Sequence, residues 1–186
     1  MQIAETARDA IDGLANSEGR STKHLLIGLG ITAGAVLASA LIARANAPTE
    51  DHPDIRRAYD KLDDTPLAPP KSAFAVIWPP LFLALTLSGL RVWNAPASPA
   101  RTQALTLWGV VQALNATWMA IGPKHLGGQL ATAIASLGTS AAYAWRARQV
   151  DQPAANMVAP YVGWVAFANV LTGDLWRRNR DRPTIH

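Results

Sequence analysis

The chain has 186 residues, 49% hydrophobic and 16% charged, with 13 Gly, 13 Pro, 7 Trp and no cysteine. That length suits one domain or two small ones, and the lack of cysteine excludes disulfides, thiolate metal sites and cysteine nucleophiles together. The net charge is +4, but the charges crowd into about 1–23, 44–71 and 177–182, with small groups near 91–101 and 146–151; the long uncharged stretches between them argue against a soluble globular chain.

The leader, residues 1–23, is polar. It carries Ile3, Ala7, Ala10, Ile11 and Leu14 at helical spacing, with Glu5, Arg8, Asp9 and Asp12 between them. A short amphipathic surface helix and a frayed polar terminus both fit that pattern. The first apolar run, Leu25–Ala43, holds no charge. Ala45-Asn46-Ala47 after it has the small-x-small form of a signal cleavage site. The run is longer than a signal core, however, a long leader precedes it, and Pro48 would follow the cut, so a retained helix is expected.

Residues 44–71 form the one long connection. It contains Pro48, Pro53, Pro66, Pro69 and Pro70, and Glu50, Asp51, Asp54, Asp60, Asp63 and Asp64. Fixed proline φ angles stiffen such a loop, which could lid a cavity at the end of a helix bundle. The acidic spacing does not match a calcium loop and the required glycine is absent.

Four further runs follow: Ser72–Leu90, about 103–121, about 126–145 (rich in Ala, Gly and Ser) and about 154–176. About 20 apolar residues suffice to cross the bilayer. The expectation is therefore an all-α integral membrane bundle of five transmembrane helices, with the proline-rich loop between helices 1 and 2. It comprises the leader 1–23, a membrane domain 24–179 and a tail 180–186. Five spans place the termini on opposite sides. Seven basic residues (Arg8, Arg20, Lys23, Arg91, Arg101, Arg146, Arg148) flank one side and ten (Arg44, Arg56, Arg57, Lys61, Lys71, Lys124, Arg177, Arg178, Arg180, Arg182) the other, which favours the N-terminus outside and the C-terminus in the cytoplasm. The basic balance reads as membrane flanks in contact with lipid, with no basic-aromatic motif for nucleic acid.

Three runs carry stripes that could line a pocket: Phe74, Trp78 and Phe82; Trp108, Gln112, Asn115 and Met119; and Tyr161, Trp164, Ala168 and Leu171. Such stripes fit a flat, largely apolar ligand held by stacking and one or two hydrogen bonds. They equally fit an interfacial aromatic belt with helix–helix hydrogen bonds. Catalytic groups are scarce: His24, His52, His125 and His186 lie in loops or at helix ends, and no triad, HExxH or phosphate loop occurs. Asp174 reads either as a partner of Arg177 or Arg178 or as a proton-relay carboxylate. Gly30, Gly34 and Ala38, with Gly127, Ala131, Ala135 and Gly138, form small-residue faces suited either to a homodimer or to packing within one bundle.

The motifs resemble those of the tryptophan-rich sensory protein / translocator protein (TspO/MBR) family. The family's signature W-Y-x-x-L-x-K-P-x-W-x-P-P-x-W-x-x-x-P-V-W falls without a gap on the chain from Ala58-Tyr59, keeping Tyr59, Leu62, Pro69, Pro70 and Trp78. Leu114-Asn115-Ala116-Thr117-Trp118 is similar to its L-N-x-x-W, and Pro160-Tyr161 through Trp164, Phe167 and Ala168 to its P-Y-x-x-W-x-x-F-A, followed by Leu171, Trp176 and Asn179. The resemblance covers about 25–179 and implies a five-helix bundle whose first loop lids a cavity for tetrapyrroles such as protoporphyrin or haem, or for sterol-like ligands, with no obligatory cofactor. By the same resemblance Tyr59, Trp78, Asn115, Trp118, Tyr161, Trp164 and Ala168 line it. The aromatics would stack, Asn115 and Tyr59 hydrogen-bond, and Ala168 would form a floor that must stay small.

The chain departs from the pattern. Ala58, Leu67 and Ser72 replace lid tryptophans, Asp64-Thr65 replaces Lys-Pro, Ala75-Val76 replaces Gly-Pro, Pro79-Pro80 is added, Thr172 replaces Asn, and Gly173 breaks a sterol motif. Three functions follow as expectations: a membrane binding or sensory protein that moves or regulates the ligand; an enzyme that degrades it, disfavoured by the missing lid tryptophans; or an accessory membrane subunit that has lost it.

Overall fold

The computed structural model describes residues 2–180, and among them every regular element is helical. In order these are α1 (Gln2–Ala15), α2 (Thr22–Ala45), α3 (Pro53–Asp60), α4 (Lys71–Asn94), α5 (Pro99–Ile121), a 3₁₀ turn (Gly122–His125), α6 (Leu126–Val150) and α7 (Gln152–Asn179). Within the leader, Gln2–Ala15 are thus helical. The expected tail beyond Arg180 lies outside the described residues.

Capping chemistry sets the boundaries. Ser21 accepts from the His24 N–H at 3.3 Å, Ser98 from the Arg101 N–H at 3.1 Å and Asp151 from the Ala154 N–H at 2.8 Å, each satisfying an orphan donor of a first turn. Proline at the first turn of α5 and α7 supplies a preset φ where no N–H is needed. The 44–71 connection is not wholly irregular, contrary to the sequence expectation. Pro53 starts α3, Asp54 occupies its first turn and Arg57 its last, which suits the helix dipole.

The long helices pack in a closed ring, α7 to α4 to α2 to α5 to α6 and back to α7. The surface of this ring is apolar and its interior is mixed. Leu26, Leu37, Leu41, Val76, Leu83, Ile134 and Val170 face outward, while Ser88, Asn94, Gln112, Asn115, Gln129, Ser136 and Ser140 are buried. That inversion is what a lipid solvent favours. Four helices, α2, α4, α5 and α7, are long and apolar enough to cross a membrane. α6, at 25 residues, is long enough but carries mostly Ala, Gly, Ser and Thr with Arg146 and Arg148 near its end, and falls short in apolar character.

Polar contacts lock the ring at one end. The Ser88 hydroxyl meets the Tyr143 hydroxyl at 2.7 Å and donates to the Ala154 carbonyl at 2.8 Å, tying α4, α6 and α7. Nearby, Arg91 forms a buried two-bond pair with Asp151 at 2.9 and 3.0 Å and donates to the Gly13 and Leu14 carbonyls at the end of α1. Asn94 donates to the Ala15 carbonyl at 2.8 Å. The small-residue faces are only partly used inside the bundle: a Cβ on Gly30, Gly34 or Gly138 would meet nothing within 4 Å, one on Gly127 would meet the Trp176 indole at 3.5 Å, and Gly28 and Gly89 lie directly under Trp93 and Trp108.

Candidate functional site

At the other end of the ring, under the 46–70 connection, lies a cavity of about 510 Å³. Every ring helix contributes to it. α2 supplies Ala43 in its last turn, with Asn46, Ala47 and Pro48 just beyond its end; α4 supplies Phe74, Ala75, Trp78, Pro79 and Phe82; α5 supplies Asn115, Trp118 and Met119. α6 supplies Gln129, Ala133 and Ser136, α7 supplies Val165, Ala168, Asn169 and Thr172, and α3 lays Tyr59 over the mouth. The helical stripe Phe74, Trp78 and Phe82 forms one wall as its spacing suggests, with Trp78 and Phe82 stacked at 5.1 Å.

The connection is fastened as a lid. The Asn179 side chain accepts from the Asp63 N–H at 2.9 Å and donates to the Asp63 carbonyl at 3.1 Å, an amide clamp to the end of α7. Burial pushes the Tyr59 phenol above its ordinary value of 10.0, and its hydrogen bond to the Gln129 side chain partly offsets this. Asp174 pairs with Arg177 at 2.6 Å and Arg178 at 2.7 Å at the same end, the first of the two sequence readings.

Of the seven residues singled out from sequence, Tyr59, Trp78, Asn115, Trp118 and Ala168 line the cavity. Tyr161 and Trp164 do not; they form its backing. The Tyr161 hydroxyl is fully buried and donates to Asn115 Oδ1 at 2.6 Å, and Trp164 packs edge-on against Trp78 at 6.3 Å and Phe74 at 5.8 Å. Nor is Ala168 the floor. The cavity reaches a turn deeper, to Phe82, Asn115, Ser136 and Val165, and Ala168 sits on a side wall. Sequence reasoning missed the α6 wall and Asn169. Gln129, Ala133 and Ser136 at i, i+4 and i+7 were a readable stripe in a run whose Ala and Gly content drew attention to packing instead.

The polar lining is neutral. Among the described residues that line the cavity there is no carboxylate, ammonium, guanidinium or imidazole. Two amides are oriented by their own bonds. Asn115 spends Oδ1 on Tyr161 and leaves Nδ2 without a partner, while Asn169 donates Nδ2 to the Ala133 and Val165 carbonyls and leaves Oδ1 free.

The sequence that builds this ring and its cavity matches one family model over residues 30–177, described as the TspO/MBR family. The chain belongs to the TspO/MBR family. Similar proteins include the translocator protein of Bos taurus, 32% identical over 68% of this chain and 77% of that protein. The tryptophan-rich sensory protein of Cereibacter sphaeroides is 29% identical over 67% and 78%, and protein CrtK of Rhodobacter capsulatus 32% over 65% and 78%. With its four apolar helices, the chain is a multi-pass integral membrane protein of the TspO/MBR type. The matched residues take in the lid, the whole cavity and the clamped Asp63, but not α1.

Proposed function

We propose that this TspO/MBR protein binds a tetrapyrrole, porphyrin or haem-like, or a similar flat apolar ligand in the cavity beneath α3, in a transport or regulatory role. The observation that carries the reading is the cavity itself: about 510 Å³, walled by Phe74, Trp78, Phe82 and Trp118 with polar atoms at a few points, the composition of a small-molecule site. Binding is favoured over turnover because the described lining residues offer no general acid or base of the carboxylate or imidazole kind. The ligand is not an obligatory cofactor. Titration of protoporphyrin into detergent-solubilised protein, followed by tryptophan quenching, is expected to saturate. Ala168→Phe, which fills a side wall without adding charge, is expected to weaken it about five- to thirty-fold, the equivalent of about 1–2 kcal/mol. Equal affinity in the two proteins would move the site elsewhere.

The same reading includes five spans, with α6 crossing between its ring neighbours α5 and α7, and the N-terminus outside. It also includes a homodimer, because Gly30, Gly34 and Gly138 face open space and backbones can approach there. Crosslinking in native membranes should trap a dimer that Gly34→Leu diminishes; monomer alone would remove that part of the reading.

A further inference from the structure

α1 lies outside the residues that match the family, and its two sides differ in character. Glu5, Asp9 and Asp12 recur at i, i+4 and i+7 and form one stripe, while Ala10, Ile11 and Leu14 fall on the opposite side of the helix. Ile11 is 62% exposed and Leu14 52%, so both present apolar area that the bundle does not cover. The C-terminal end of α1 is pinned: Arg91 donates to the Gly13 and Leu14 carbonyls, and Asn94 to the Ala15 carbonyl at 2.8 Å. Arg91 and Asn94 stand in the last turn of α4, where that span leaves the apolar layer. The pin therefore sets Leu14 at the depth of the membrane boundary, on the side opposite the lid. Asn16 at φ 53° and Gly19 at φ 71° turn the chain between α1 and α2, so α1 is not an extension of the α2 span into water. At this same end the first turns of α2 expose Leu26, Ile27 and Leu29. The Ile11 and Leu14 side chains thus continue a surface already turned to lipid, and lipid is the one partner always present at that depth.

We propose that α1 lies in the headgroup layer opposite the lid, with Ile11 and Leu14 inserted among the acyl chains and the acidic stripe in water. The partner is the lipid surface, held through apolar area and not through headgroup charge. Within α1, Glu5, Asp9 and Asp12 stand against Arg8 alone, so anionic lipid adds no attraction.

The lack of native cysteine allows single spin labels at Asp9, Ile11 and Leu14 on the full chain in phosphatidylcholine nanodiscs. All three positions are exposed, so labelling disturbs no core. Relaxation by oxygen, which concentrates among acyl chains, is compared with relaxation by an aqueous nickel chelate. The oxygen-to-nickel ratio is expected to be at least about fivefold higher at Ile11 and Leu14 than at Asp9. Exchanging part of the lipid for phosphatidylserine, or raising the salt, should change the ratios by less than about twofold. Ile11→Asp, with the label kept at Leu14, should lower the Leu14 ratio at least about threefold. Equal ratios at the three positions would leave α1 in water and overturn the proposal. Poor access of both reagents to Ile11 and Leu14 would reveal a protein occupant, a second copy or another chain, and overturn it as well. A high ratio found only with phosphatidylserine and lost in salt, or a Leu14 ratio indifferent to Ile11→Asp, would overturn attachment through apolar area.

Discussion

Trp108 shows how much of this bundle depends on single positions. Its indole donates to the Leu85 carbonyl at 3.0 Å, which pins the ring over Gly89 on the neighbouring helix. A Cβ at residue 89 would lie 2.6 Å from two indole atoms that the bond holds in place. Gly89→Ala should therefore destabilise by about 1–3 kcal/mol through overpacking. Gly109→Ala, whose Cβ meets nothing within 4 Å, should leave stability unchanged or slightly raised. The pair is checked by thermal unfolding in one detergent, with a lowered Tm in the first variant only. Helical stripe and resemblance coincide at Trp78 and Asn115, and both line the cavity. They coincide at Tyr161 as well, yet the structure puts that side chain behind the wall. Helical spacing gives a residue's face but not whether a neighbouring helix's amide has already taken its hydroxyl.

Arg91 joins three elements that lie far apart in the chain. It counts in the sequence as one of the basic flanks that set topology, yet its side chain is only 9% exposed, paired with an Asp151 that is 8% exposed. The same guanidinium serves the Gly13 and Leu14 carbonyls, so the end of α1 is capped by α4. Asp151 in turn caps α7. Removing one partner of a buried pair costs about 3–5 kcal/mol because the other charge is left alone. Arg91→Met is therefore expected to lower stability by that order and to free α1, making the chain cleavable by trypsin at Arg20 under conditions where the wild type resists. Resistance retained in the variant would mean that α1 is held by Asn94 and packing alone. Such long-range pairing is invisible to local pattern, since 60 residues separate the partners. α3 failed to be read for the opposite reason. Pro53 and Asp54 are a legible helix start, but eight residues among five prolines looked like a loop.

Across the whole molecule, the uneven charge distribution made the long helices legible, because charge-free runs of about 20 residues have few other uses. α6 is where composition and architecture part. Its Ala, Gly, Ser and Thr keep it from qualifying as a span by apolar character, yet it packs along both α5 and α7, which do qualify. A helix flanked on both sides by spans can be less apolar, because neighbours rather than lipid cover much of it. With no native cysteine, single substitutions decide the matter cleanly. Asp64→Cys marks the lid, Ala97→Cys the turn between α4 and α5, and Gln149→Cys the end of α6, all at exposed positions. If α6 crosses, an impermeant maleimide applied to intact cells will label the Ala97→Cys and Gln149→Cys proteins alike and the Asp64→Cys protein oppositely. If α6 stays on the side where α5 ends, Gln149→Cys will behave as Asp64→Cys does. The sign of the labelling also fixes orientation. Ten basic residues on the lid side against seven on the other favour a cytoplasmic lid, so labelling from outside is expected to reach Ala97→Cys and Gln149→Cys and leave the lid position protected until the membrane is opened.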